Sequence, residues 1–141
     1  MTIPPPVSPM LTIQGAIRAL LAADSELQAL GVSVYDYLPE DVPYPFVVIG
    51  EATEVPDNSH DRHGWETVPT LHVWDQYRGY KRVLQIGGRL TTLLDHQPLT
   101  VDGYDHIVTR FEFGQPLTDP EPPGDIRHLI QRYRVITAQA V

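Results

Sequence analysis

The chain has 141 residues, enough to bury one core and too few for two independent ones. Its composition, 42% hydrophobic and 20% charged with 14 prolines and 10 glycines, is that of a folded chain rich in turns. A formal net charge of −8 argues against specific recognition of a phosphate backbone, and the absence of cysteine removes disulfides and thiolate metal sites.

The N-terminus, MTIPPPVSPM, has neither the basic start nor the apolar run of a secretory signal, and no stretch approaches the roughly eighteen apolar residues of a membrane span. Pro4, Pro5, Pro6 and Pro9 lack backbone donors, so residues 1–9 read as a Pro-rich arm. Ser8-Pro9 reads as a cap and first-turn proline. Met10, Ile13, Ile17, Leu20 and Leu21 then recur at helical spacing to about Ala22. Asp24 is placed to cap a short second helix, Ser25 to Leu30, with Leu27 and Leu30 inward and Gly31 free to make a left-handed exit.

From Val32 to Tyr37 the chain is β-branched and aromatic, and after a proline-punctuated loop Phe46-Val47-Val48-Ile49 is a short apolar run; both predict strands, the second continuing outward to Pro56. Asp57 to Gly64 has no apolar anchor and predicts a long, mobile hairpin tip. Thr67 to Gln76 returns as a strand with Thr70, His72 and Trp74 on one face and Leu71 and Val73 on the other, and Pro69 marks an edge or a bulge. Tyr80 to Asp95 predicts the second long helix, with a stripe of Val83, Leu84, Gly87, Leu90, Leu93 and Leu94. Gly87-Gly88 costs about 1 kcal/mol per glycine there, a cost that close packing against a sheet offsets.

Leu99 to Val101, an Asp102-Gly103 turn, a strand from Tyr104 to Phe113, a Pro-rich loop Gln115 to Gly124 and a strand Ile126 to Thr137 complete the chain. The order αβββαβββ predicts an α+β fold: a mainly antiparallel sheet of five or six strands with both main helices on one face and a hairpin tip at about 55–66. Residues 10–137 form the single domain and 138–141 a C-terminal tail.

Catalytic machinery is hard to find. His60-Asp61-Arg62-His63 carries metal-ligand chemistry, but it lies on an irregular tip with no third ligand fixed by spacing, so it reads as a solvated loop. His72 on a strand reads as a packing residue, and His96 as a cation favourable at a helix C-terminus. No G-x-S-x-G, P-loop or G-x-G-x-x-G occurs, and neither a cofactor nor an enzymatic activity is expected. Arg110, Arg132 and Arg134 share a face near Glu112 if the last two strands pair; cross-strand or subunit-interface pairing is the plain reading in so acidic a chain.

The run Val34-Tyr35-Asp36, Pro43-Tyr44-Pro45-Phe46-Val47-Val48-Ile49-Gly50-Glu51, then Gly64 to Glu66, Thr70-Leu71-His72-Val73-Trp74, Thr109-Arg110-Phe111, Asp119 and His128 to Arg134, resembles the siphophage and prophage tail-completion family, a head-to-tail joining and terminator-like group. The resemblance spans about Leu11 to Thr137. Asp75, where a small hydroxyl residue is expected, and the proline-rich Pro120 to Gly124 depart from the pattern.

The resemblance implies a virion structural protein: a ring of six identical subunits at the head-proximal neck of a long non-contractile tail. Such a ring ends the tail tube, joins a head-completion or connector protein, and lets double-stranded DNA pass without binding it specifically. The chain is then made in the host cytoplasm, with no membrane partner. Glu51, Glu54, Asp57, Asp61 and Glu66 are the candidates for lining the channel or meeting a neighbouring ring. Trp65, Tyr77, Arg110, Arg132 and Arg134 are the candidates for subunit contacts. Another neck or tail interaction module, and a small metal-dependent hydrolase, are the alternatives.

Overall fold

In the computed structural model residues 3–141 are described; the first two residues of the arm lie outside them. Three helices, α1 (Met10–Ala22), α2 (Ser25–Ala29) and α3 (Lys81–Leu94), accompany five strands: β1 (Ser33–Tyr35), β2 (Phe46–Pro56), β3 (Gly64–Gln76), β4 (Tyr104–Thr118) and β5 (Ile126–Gln139). The strands form one sheet in the order β1-β2-β3-β5-β4, antiparallel except for the β1–β2 pair. This is the α+β architecture the periodicities predict.

The helices cover one face. Along β5 the odd positions Leu129, Gln131, Tyr133, Val135 and Thr137 are buried beneath them, whereas the even positions point the other way, as a period of two requires. The register carries this alternation across the sheet: Leu71 pairs with Gln131 and Val73 with Leu129, while His72 pairs with Ile130 and Trp74 with His128. Ile13, Ile17 and Leu21 of α1 and Val83, Ile86, Leu90 and Leu94 of α3 close the core. Each such side chain contributes about 1.5–3 kcal/mol of apolar burial.

Capping follows the sequence closely at α2. The Asp24 carboxylate accepts the Leu27 N–H at 3.0 Å, and Gly31 leaves with φ +76. In α3 the stripe is shifted from the predicted one: Ile86 is buried and Leu84 is 50% exposed, because 83, 86, 90 and 94 are the positions that meet the sheet. Gly87 lies so near β5 that a Cβ would sit 2.3 Å from Leu129 Cδ2, whereas Gly88 faces open space. Close packing therefore explains the first glycine only.

Other boundaries also moved. Leu99 and Val101 are buried but add no strand, since the segment packs its side chains without pairing its backbone. β4 runs through the proposed loop to Thr118, because Phe113–Thr118 finds partners at Arg132–Arg127. β1 has three residues and pairs in parallel with Phe46–Val48. Pro69 sits in the interior strand β3 opposite Ala52, at a register shift between Ile49 and Ala52; it marks a bulge and not an edge.

Candidate functional site

The sheet face opposite the helices has no element over it among the described residues. It carries Val48, Val68, Trp74, Ile130 and Ile136, all half-buried, with Val55, Phe113 and Leu117 at 51%, 37% and 37% exposure. Charges interleave with these. Arg134 pairs with both Glu66 and Glu112, and the Arg132 guanidinium lies over the Phe113 ring at 5.0 Å. Arg110 stands opposite Arg134 in register, exposed, with no ion pair among the described residues.

A hydrogen-bonded imidazole pair on this face was not foreseen. His72 Nε2 lies 2.6 Å from Glu51 Oε1, and His72 Nδ1 lies 2.7 Å from His128 Nε2. A carboxylate only accepts, so His72 donates through Nε2 and, when neutral, accepts from the His128 N–H through Nδ1. His128 stacks on Trp74 with centroids 3.8 Å apart and an interplanar angle of 9°. Burial, followed by repulsion from His72, pushes the His128 imidazole down to about 4, and the His72 hydrogen bond holds the Glu51 carboxyl below its ordinary range. Gly50 leaves room for the ring: a Cβ there would meet His72 Cδ2 at 2.8 Å. Alternation placed His72 beside Trp74, but the β3–β5 register that brings His128 alongside was not readable in advance.

The network has no nucleophile in it, and among the described residues no group of three or more His, Asp or Glu is arranged for a metal. His60 and His63 do not converge. His63 Nε2 instead contacts the Pro4 carbonyl at 2.9 Å, tying the arm to the hairpin. His96, past the end of α3, donates its backbone N–H to Thr109 O at 2.7 Å, while Asp95 accepts the Phe111 N–H at 2.8 Å. These two residues cap the outer edge of β4 at its middle. That backbone hydrogen bond, together with the neighbouring His96 imidazole, holds the Asp95 carboxyl below its ordinary range.

The five acidic candidates do not form one patch. Glu51 and Glu66 lie on the open face and are paired, and Glu54 accepts the Ser8 hydroxyl at 2.8 Å. Asp57 and Asp61 lie at the β2–β3 tip, the end of the sheet that also holds Asp102 and Asp105. The tip is anchored, contrary to the expectation of a segment with nothing to hold it. Arg62 donates to Gln139 O at 2.7 Å and pairs with Asp105 at 2.7 Å, and the Gly64 N–H donates to Asn58 Oδ1 at 3.1 Å. The guanidinium does what an apolar anchor would otherwise do.

Of the interface candidates, Trp65 turns to the helix side opposite Thr137, with its indole N–H buried and without a partner among the described residues. Tyr77 lies under the Arg82 guanidinium at 5.1 Å. Arg82 also brings Nε within 3.0 Å of Asp75, whose carboxylate is fully buried yet off the hydrogen-bond line. Only Arg110, Arg132 and Arg134 share the open face.

Comparisons with known proteins agree with this architecture. The structure is similar to a chain in the virion of the native gene transfer agent particle, with a TM-score of 0.83 at 18% identity, covering 94% of this chain and 99% of that one. In sequence it is 29% identical over 97 residues to the tail completion protein gp17 of Bacillus phage SPP1, spanning 67% of this chain and 69% of that protein. The tail completion protein gp17 family matches residues 15–138, nearly the whole chain, and the protein therefore belongs to the tail completion protein gp17 family.

Proposed function

We propose that this chain is the subunit of a ring that completes a long non-contractile phage tail: it caps the last layer of the tail tube and offers its other surface to the head connector. The family match over residues 15–138 carries this reading. The uncovered sheet face supports it, since a closed ring needs contact surface that the isolated subunit leaves unused, and this face carries aromatic, aliphatic and arginine side chains, the kinds found at interface cores. Arg110, Arg132, Arg134 and Tyr77 remain the interface candidates; Trp65 lies on the helix side of the sheet, away from them.

The acidic end fits a conduit for DNA. Asp57, Asp61, Asp102 and Asp105 gather there around Arg62, and carboxylates beside a passing duplex repel its phosphates and let it slide. The domain boundary proposed at residue 10 assigns Ile3–Pro9 to a strap docked on that end, where Val7 N–H meets Gln139 Oε1 at 2.9 Å and Tyr104 donates to Val7 O. No catalytic step is proposed.

Deleting the gene in its phage tests the reading. Heads and tails that form but fail to join, with the wild-type chain restoring joining and co-purifying with the tube protein, are the expected result. Normal joining without the chain would overturn it.

A further inference from the structure

The two lateral edges of the sheet are unlike, and each carries an unpaired stretch. β1 ends at Tyr35, opposite Val48, so from Ile49 to Pro56 the outer side of β2 has no strand beside it, and no backbone hydrogen bond reaches it among the described residues. A cavity of about 290 Å³ lies there between α1 and β2, lined by Met10, Ile13, Ile49, Ala52, Thr67 and Pro69. Thr67 is 1% exposed and its hydroxyl has no partner among the described residues.

On the opposite edge, β4 is a 15-residue strand. Asp95 and His96 occupy its outer side at Thr109 and Phe111, but from Phe113 to Thr118 no described residue covers that side and every residue is exposed. An exposed, apolar, unpaired strand edge is a template for another strand. β4 and β2 run in opposite directions, so subunits related by rotation about an axis along the strands present them to each other in the favourable antiparallel sense.

We infer that consecutive copies of this chain join by strand addition, the Phe113–Thr118 edge of one copy pairing with the Gly50–Pro56 edge of the next and covering the α1–β2 cavity. This deepens the ring reading above and rests on it. The contact uses two different edges, so it is heterologous and propagates around a closed ring. Gly114 and Pro116 of the added strand fall on the helix side, where they meet the cavity, while Phe113, Gln115 and Leu117 extend the open face.

The contact is also staggered. Glu54 lies level with Thr109, through Thr67 and Val135, and Asp95 and His96 block β4 at that height. Only the lower, bare part of β4 is free to pair, which shifts each copy along the strand direction relative to its neighbour. Closing a curved sheet demands such a stagger.

Because the native chain has no cysteine, cross-linking reads the contact without background. Thr53 is combined in turn with Phe113, Gln115 and Leu117, all four exposed and on the open face, as Thr53→Cys with one β4 cysteine; neighbouring strands bring such pairs within disulfide reach. Oxidation of assembled tails is expected to convert at least one double variant into a covalent ladder up to the full ring, with each single variant uncross-linked. Thr53→Cys with Arg110→Cys, the unstaggered pair, is expected to stay monomeric. Rings present by microscopy but uncross-linked in all three double variants, a ladder from the Arg110 pair, or dimers from a single β4 cysteine would each overturn the edge pairing while leaving the ring intact. Tails whose ends carry no ring of this chain would overturn the ring reading itself.

Discussion

Gly87 and Gly88 are neighbours in sequence with opposite consequences. A methyl at Gly87 would drive into Leu129 and disturb the buried hydrogen bonds from Gln131 and Thr91 to the Gly87 carbonyl, so Gly87→Ala should destabilise by about 1–3 kcal/mol. At Gly88 the same methyl meets nothing, and Gly88→Ala should stabilise by up to about 1 kcal/mol in thermal unfolding. Equal effects at the two positions would contradict the close approach of α3 to β5. The stripe read from the sequence includes Gly87 and not Gly88; what it misplaces is the rotation of the helix about its axis, which buries Ile86 and exposes Leu84.

His128 gives a pH prediction at the same scale. An unfolded chain protonates this imidazole near 6.5, whereas the folded protein keeps it neutral down to about 4. Between those values the unfolded state holds the extra proton, so stability falls as pH drops through that window and levels off below it. His106, lowered by burial, acts in the same direction. In urea titrations across pH 6.5 to 4, His128→Gln should show a shallower decline than the parent; an unchanged slope would remove His128 as the cause.

At the scale of elements, the α2 cap shows where patterns in sequence suffice. Asp24 before an apolar-spaced turn is a local signal, and the structure uses it locally: Asp24→Ala should cost about 0.5–2 kcal/mol through the lost cap, with more from the Arg89 ion pair at 2.6 Å. That arginine is the largest cause holding the Asp24 carboxyl below its ordinary range, so the associated stability is present above about 3.8 and is lost as pH falls below it.

The tip is the opposite case. Nothing in Asp57–Gly64 itself says that Arg62 will reach the last residues of β5, because the partner is a backbone carbonyl 77 residues away. Arg62→Ala should raise amide exchange across residues 57–63 and leave exchange in α3 unchanged; uniform change in both would mean that the anchor is not local. Strand lengths were legible only to within several residues for the same reason: Phe113–Thr118 looks like a loop, with Gly114 and Pro116, until β5 supplies its pairing partner.

For the whole molecule, alternation and helical spacing were enough to place both main helices on one face of a mainly antiparallel sheet, because burial of apolar side chains decides that arrangement. The candidate site was less legible. Arg110, Arg132 and Arg134 do come together, since period two and antiparallel pairing fix them, whereas the five acidic residues scatter over the open face, the arm contact and the tip. Charge in sequence gives a total and not a surface.

Among the described residues one sheet face is left uncovered and the two sheet edges are unlike, which is the form the proposed ring requires of its subunit. The most direct measurement is cryo-electron microscopy of the head-proximal end of tails assembled with this chain. The account predicts a closed ring of its copies stacked on the last tube layer, with the end of each subunit that bears Asp57, Asp61, Asp102 and Asp105 beside the channel. Tail ends lacking this chain, or a ring with that acidic end on the outer wall, would contradict it.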